Sequence, residues 1–230
     1  MNIAIILSGG IGSRMGLGMP KQYVEVNGLP VISFCIQTFL AHKNIDAIII
    51  GVALEWKEYV KETVTRMNPA KLVLYAEPGE TRQYSILNAL KVAKEICKGN
   101  DDIVIIHDAA RPLVSGELIG NCIEACREYD GVMPVIAVKD TTYLSRDGRC
   151  IEALLDRSTL WNGQAPEAFK LEKYLKACES MSRSDLLKIN GSTELAFKAG
   201  LECRMIEGDP MNFKITTPED LINFERIISR

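Results

Sequence analysis

Residues 3–7 read IAIIL and run straight into Ser8-Gly9-Gly10. This unbroken apolar stretch, closed by glycines, constrains the fold more than any other feature of the chain. A strand with no polar alternation must be covered on both faces, and parallel sheets flanked by helices are what provide that cover. The pattern recurs. IDAIIIGV (45–52), KLVLYAE (71–77), DIVIIHD (102–108) and GVMPVIAV (131–138) read as further strands, and segments 30–41, 55–67, 81–97 and 115–129 between them carry helical spacing. Pro30 suits a first helical position and Ser115 an N-cap. Strand–helix alternation of this kind predicts a mostly parallel sheet with helices on both faces. At 230 residues, one α/β domain over 1–230 with an insertion is the expected organisation.

The insertion is visible as a break in rhythm. Residues 139–160 contain two extended segments around Arg146-Asp147-Gly148-Arg149, the pattern of a hairpin. Such an arm has little apolar partner of its own and would pack either on a second subunit or on its own domain. Beyond it, LEKYLKACESM (171–181) and STELAFKAG (192–200) read as helices and LECRMIEG (201–208) as a strand. A closing helix over 217–229 is opened by Thr217-Pro218-Glu219-Asp220.

Charge and cysteine content narrow the function classes. Lys and Arg number 27 against 30 Asp and Glu, a formal net charge of −3, which argues against the broad cationic footprint that nucleic-acid binding needs. A small basic pocket for one phosphorylated ligand remains compatible with that balance. The seven cysteines include no CxxC pair, so they read as small buried apolar residues in a reducing compartment. MNIAIILSGG lacks the basic segment of a signal peptide, and no run approaches the roughly 18 apolar residues of a membrane span. A cytoplasmic protein is expected.

Chemistry-bearing residues gather where strands end. SGGIGSRMGLGMPKQY (8–23) combines a buried strand, a glycine-rich turn and two cations, Arg14 and Lys21. Glycines let a backbone approach a ligand and aim N–H groups at an anion. Arg14 offers a bidentate fork and Lys21 a point charge. Neither a GxxxxGK[ST] phosphate loop nor a GxGxxG fingerprint is present. Phosphate binding is the reading preferred over two solvated cations, because open α/β sheets place ligands at carboxyl strand ends. In HDAARP (107–112), Asp108 can accept from hydroxyls or hold a metal-bound water and Arg111 can clamp a phosphate, or the two can simply brace a loop. GETRQYS (79–85) presents Gly79 and Ser85 around a turn, NFKITTPEDL (212–221) presents Lys214 before the last helix, and Arg157 and Trp161 lie just past the arm.

Taken together, GSRMGLGMPKQY, IIHDAARP and NFKITTPEDL, in this order and spacing, resemble the cytidylyltransferases that act on 2-C-methyl-D-erythritol 4-phosphate. The related D-ribitol 5-phosphate cytidylyltransferases share most of these motifs. The resemblance runs from residue 3 to about 225 and implies a Rossmann-like three-layer α/β sandwich whose inserted β-arm builds a homodimer. It also implies a reaction in which CTP and a polyol phosphate give a CDP-polyol and pyrophosphate, with Mg²⁺. On that resemblance Arg14, Lys21, Lys214 and Arg157 are catalytic, and Ser8, Gly9, Gly10, Gly79, Arg82, Ser85 and Ala109 cradle the cytidine and its phosphates. Asp108, Arg111, Thr141 and Arg157 then hold the acceptor, some across the dimer, and Asp108 is the metal ligand. The methylerythritol acceptor is the expected one. Ile189-Asn190-Gly191-Ser192-Thr193 stands where those enzymes carry an acidic Thr-Asp segment, and Asn162-Gly163-Gln164 is similar to the ribitol branch. A nucleotidyltransferase for a hexose 1-phosphate and a non-catalytic nucleotide-binding homologue are the competing readings.

Overall fold

The structure, a computed structural model, describes residues 1–10, 18–97, 99 and 101–229. The run at residues 3–7 forms β1 (Asn2–Leu7), and a short hairpin follows, β2 (Glu25–Val26) and β3 (Leu29–Pro30). Next come α1 (Val31–Ala41), β4 (Ala47–Gly51), α2 (Lys57–Arg66), β5 (Leu72–Ala76), α3 (Arg82–Ile96), β6 (Ile103–Asp108), α4 (Gly116–Glu128) and β7 (Gly131–Ala137). The arm carries β8 (Thr142–Leu144) and β9 (Ala153–Leu155), paired only with each other. Then follow β10 (Trp161–Gly163), β11 (Glu167–Lys170), α5 (Leu171–Ser180), α6 (Arg183–Leu186), α7 (Ser192–Lys198), β12 (Cys203–Glu207) and α8 (Pro218–Ile228).

The main sheet runs β10-β7-β11-β6-β1-β4-β5, with β12 added beside β7. β1 pairs in parallel with both β4 and β6, β5 pairs in parallel with β4, and β12 with β7, whereas β10 and β11 run antiparallel to their neighbours. The parallel core is therefore as expected, and the antiparallel pair extends it. At three and four residues, and separated by Pro166, β10 and β11 are too short for alternation to announce them. Pro30 departs from expectation in a smaller way: it ends β3 and sits at the N-cap of α1 rather than inside the helix.

The apolar strands are sorted by the two-residue period of a strand. Ala4, Ile6, Ile48, Ile50 and Ile105 face α1, α2 and α4 in one core layer. Ile3, Ile5, Ala47, Ile49, Val104 and Ile106 face α3, α5 and α7 in the other. Both faces are thus buried, which is why these runs need no polar residue. The closing helix α8 has Pro218 at its first turn and a capping box between Thr217 and Asp220, as the sequence predicts. It packs Phe224 against Val26, Val31 and Ile215. Among the described residues no helix is long and apolar enough to cross a membrane.

Candidate functional site

The parallel register brings four strand ends to one edge: Leu7 lies opposite both Gly51 and Asp108, and Gly51 opposite Ala76. At that edge the chain leaves β1 through Ser8, Gly9 and Gly10. Ser8 is 2% exposed, and its hydroxyl lies 2.9 Å from the Gly51 carbonyl and 3.1 Å from the Tyr23 hydroxyl. Ser8 therefore shapes the turn from inside instead of presenting its hydroxyl to a ligand. Gln22 Nε2 donates to the carbonyls of Ser8 (2.6 Å) and Gly10 (2.8 Å), clamping the turn from below. A Cβ on Gly9 would lie 2.8 Å from Pro78 Cβ, so only glycine lets this turn close against the loop after β5. Lys21 opens the 3-10 turn Lys21–Tyr23, directly before the clamping Gln22. Arg14 lies outside the described residues.

The loop after β5 is equally tight. Gly79 N donates to Ser85 Oγ at 3.0 Å, and Ser85 Oγ donates to the Thr81 carbonyl at 2.9 Å. A Cβ on Gly79 would fall 2.3 Å from Tyr84 Cβ. Gly79 and Ser85 thus bond each other and build the start of α3; the Gly79 N–H is not turned outward to a base edge. Ala109, 1% exposed, is likewise committed: its N–H donates to the Leu7 carbonyl at 3.0 Å.

Beside these turns stands a charge cluster. Asp108 ends β6, and its Oδ1 accepts from Arg82 Nη2 at 3.3 Å and from Arg82 Nε at 3.4 Å. Its Oδ2 accepts from Lys214 Nζ at 2.9 Å, with Arg111 Nε at 3.8 Å. Burial alone would push the Asp108 carboxyl up, but Arg82, Lys214 and Arg111 together hold it well below the usual carboxylate range. Arg82 also reaches Glu167 Oε2 (3.4 Å) and Ser192 Oγ (2.7 Å). The segment bearing Lys214 is stitched to the loop after β6, since Ile215 N donates to the Ala110 carbonyl at 2.8 Å and Arg111 Nη1 to the Asn212 carbonyl at 2.7 Å.

The structure thus brings Asp108, Arg111, Arg82 and Lys214 together next to the glycine turn. It does not bring Thr141 and Arg157 there. Both are exposed at the base of the arm, Arg157 Nη1 donating to the Lys139 carbonyl at 2.7 Å. No hydrogen bond or ion pair among the described residues joins either to the Asp108 cluster. The Asp108 metal assignment fits poorly for a physical reason: both carboxylate oxygens already serve cations. Glu167 is engaged as well, and no group of three metal-ligating side chains occurs among the described residues. Sequence reasoning gave no role to Glu167, Ser192, Gln22, Tyr23 or Asn212. A carboxylate set between apolar residues in QAPEAF was the one available signal for Glu167.

His107 supports the cluster from below. It is fully buried beside Phe39, with Nε2 2.9 Å from the Arg111 carbonyl, so the neutral ring carries its proton on Nε2. Burial lowers its pKa from 6.5 to about 4. The folded state therefore holds fewer protons than the unfolded chain between these values, and stability falls as pH drops through that window. The loss amounts to about 3 kcal/mol by pH 4. Urea unfolding of the wild type and His107→Asn between pH 7 and 4.5 is expected to give a visibly flatter pH dependence for the variant. Parallel slopes would remove His107 from the acid response.

The sequence and the fold both match known proteins. A family model described as "IspD: 2-C-methyl-D-erythritol 4-phosphate cytidylyltransferase" matches residues 2–230. A 2-C-methyl-D-erythritol 4-phosphate cytidylyltransferase of Clostridium botulinum is 35% identical over 227 residues, 99% of each chain. A ribitol-5-phosphate cytidylyltransferase of Streptococcus agalactiae is 32% identical over 228 residues, 99% of this chain and 95% of the relative. Among solved structures, the 4-diphosphocytidyl-2C-methyl-D-erythritol synthase of Anaerococcus prevotii superposes with a TM-score of 0.83 at 26% identity, covering 100% of this chain and 96% of the other. The Francisella tularensis 2-C-methyl-D-erythritol 4-phosphate cytidylyltransferase gives 0.80 at 28%, covering 97% and 99%.

Proposed function

This chain belongs to the 2-C-methyl-D-erythritol 4-phosphate cytidylyltransferase family and is a CTP-dependent nucleotidyltransferase; we propose that it transfers the cytidylyl group to 2-C-methyl-D-erythritol 4-phosphate, with release of pyrophosphate. The observation that supports the reading most is the position of Lys214. It stands 2.9 Å from Asp108, 39% exposed, at the carboxyl edge of the sheet and beside the cluster that carries Arg82 and Arg111.

The chemistry needs charge neutralisation more than a nucleophile. An oxygen of the acceptor phosphate bonds to the α-phosphorus of CTP as the bond to the departing pyrophosphate breaks. The attacking group is already an anion, and both reactants repel each other. Lys214, Lys21 and Arg14 neutralise the triphosphate and the attacking phosphate, and the lysines act as point charges that need no proton transfer. Asp108 keeps Lys214 placed and Arg82 turned inward. Mg²⁺ is proposed as an ion carried by the nucleotide phosphates, the common mode for this metal.

The arm exposes Tyr143 (54%), Leu144 (43%), Ile151 (69%) and Leu154 (67%), more apolar surface than a short hairpin carries alone. We assign it to a homodimer in which Thr141 and Arg157 of one copy approach the other's acceptor, in the cytoplasm. Segment Asn162-Gly163-Gln164 and the Streptococcus relative favour a second acceptor, D-ribitol 5-phosphate. Pyrophosphate release, measured with CTP and each acceptor in turn, is expected to be fastest with the methylerythritol phosphate. Faster release with the ribitol phosphate would exchange the acceptor, and release with neither would overturn the reading.

A further inference from the structure

One buried ionisable side chain has no part in the chemistry above. Glu167 is 7% exposed on β11, where its neighbours Ala168 and Phe169 are core residues. A carboxylate at such a place costs several kcal/mol unless it is paired. The register explains where it points. Glu167 lies opposite Ile106 on β6, and Asp108 is two residues beyond, so both carboxylates share the face covered by α3 and α7. Arg82, at the first turn of α3, lies between them.

Each oxygen of Glu167 has a separate task. Oε1 accepts from Thr193 N at 2.9 Å and from Thr193 Oγ1 at 2.7 Å, fixing the start of α7, while Oε2 lies 3.4 Å from Arg82 Nη2. With Asp108 at 3.3 Å and Ser192 Oγ at 2.7 Å, the guanidinium is anchored on three sides. Arg82, Arg111 and Lys214 face two carboxylates, Asp108 and Glu167, so this part of the site carries one net positive charge instead of two.

We propose that Glu167 is a positioning residue that restrains Arg82 between two carboxylates and thereby limits how strongly the site grips its phosphorylated acceptor. The phosphate is then met chiefly by Lys214, whose side chain is 39% exposed, while Arg82 stays inward as a structural cation. This rests on the reading that a polyol phosphate binds at the Asp108 cluster.

Glu167→Gln separates charge from shape. The amide oxygen still accepts from Thr193, while the amide N–H groups face Arg82 as donors against a donor, so the guanidinium loses one anchor and the site gains one positive charge. The expected result, in steady-state assays of the full-length enzyme with CTP and the acceptor, is an acceptor KM lowered about fivefold with kcat within about twofold, the signature of added uniform binding. KM for CTP changes less. A purely structural Glu167 would leave both constants unmoved in a folded variant, so an unchanged or raised acceptor KM overturns the proposal. Ser192→Ala removes another anchor of Arg82 and no charge; it is expected to lower the same KM about twofold, in keeping with uniform binding, and an increase would also overturn the proposal. A wild type that transfers to the acceptor while neither substitution moves that KM sinks the role of Glu167 alone. A wild type that transfers to no polyol phosphate sinks the underlying reading and this role with it.

Discussion

Lys214→Ala is expected to lower kcat by about 10²–10³, the usual cost of deleting one preorganised group that meets charge developing in a transition state. The side chain is 39% exposed and bonded only through Nζ to Asp108 among the described residues, so its removal takes little packing away. The segment that carries it stays attached through Ile215 N and the Asn212 carbonyl, which do not involve the lysine side chain. Thermal unfolding should therefore shift by only a few degrees while turnover collapses. The measurement is pyrophosphate release at saturating CTP and acceptor, beside a melting curve. Near-normal kcat in a folded Lys214→Ala protein would place the transition-state charge elsewhere and would remove the main support for the proposed mechanism. Lys214→Arg is a useful companion, since a planar fork reproduces the charge but not the compact point geometry.

Asp108→Asn is expected to act on stability as well as on turnover. The substitution keeps the shape and removes the charge that Arg82, Lys214 and Arg111 share. Breaking a buried ionic network by removing one partner costs about 3–5 kcal/mol, which for a chain of this size lowers Tm by roughly 10 °C. Lys214 also loses its anchor, so turnover falls with stability. The pH dependence gives an internal check. Burial pushes the Asp108 carboxyl up, yet its three cationic partners prevail and hold it well below the ordinary carboxylate range. Its contribution is therefore fully present above that range and fades as pH falls through it. The stability gap between wild type and Asp108→Asn should narrow below about pH 4. A gap that persisted unchanged in acid would mean that the loss is steric and not ionic.

The β1 turn and the HDAARP loop show how far local sequence reaches. A strand-length apolar run without polar alternation, followed by glycines, fits a central parallel strand with its carboxyl end open. Asp108 ends β6, and Lys214, 106 residues further along the chain, reaches it from the loop between β12 and α8, which is bonded to the loop after β6. The geometry of Arg82 is not legible in the sequence. The resemblance assigns the residue to the nucleotide, and the structure adds that Asp108, Glu167 and Ser192 anchor its guanidinium. The resemblance puts Ser8, Gly79, Ser85 and Ala109 around the nucleotide; in the structure their polar groups turn to the backbone or to each other, because closely packed turns must satisfy their own donors and acceptors first.

From composition and order of residues alone, the periods of two and 3.6 set which segments become strands and helices, and hence a parallel sheet with glycines and cations at its carboxyl edge. Those periods are local, and side chains announce them without any partner. Tertiary structure decided the rest: that short β11 slips antiparallel between β6 and β7, that Glu167 therefore shares a face with Asp108, and that three cations meet two carboxylates there and leave one net positive charge. Strand pairing and charge balance depend on distances between remote residues, and no window along the chain contains them.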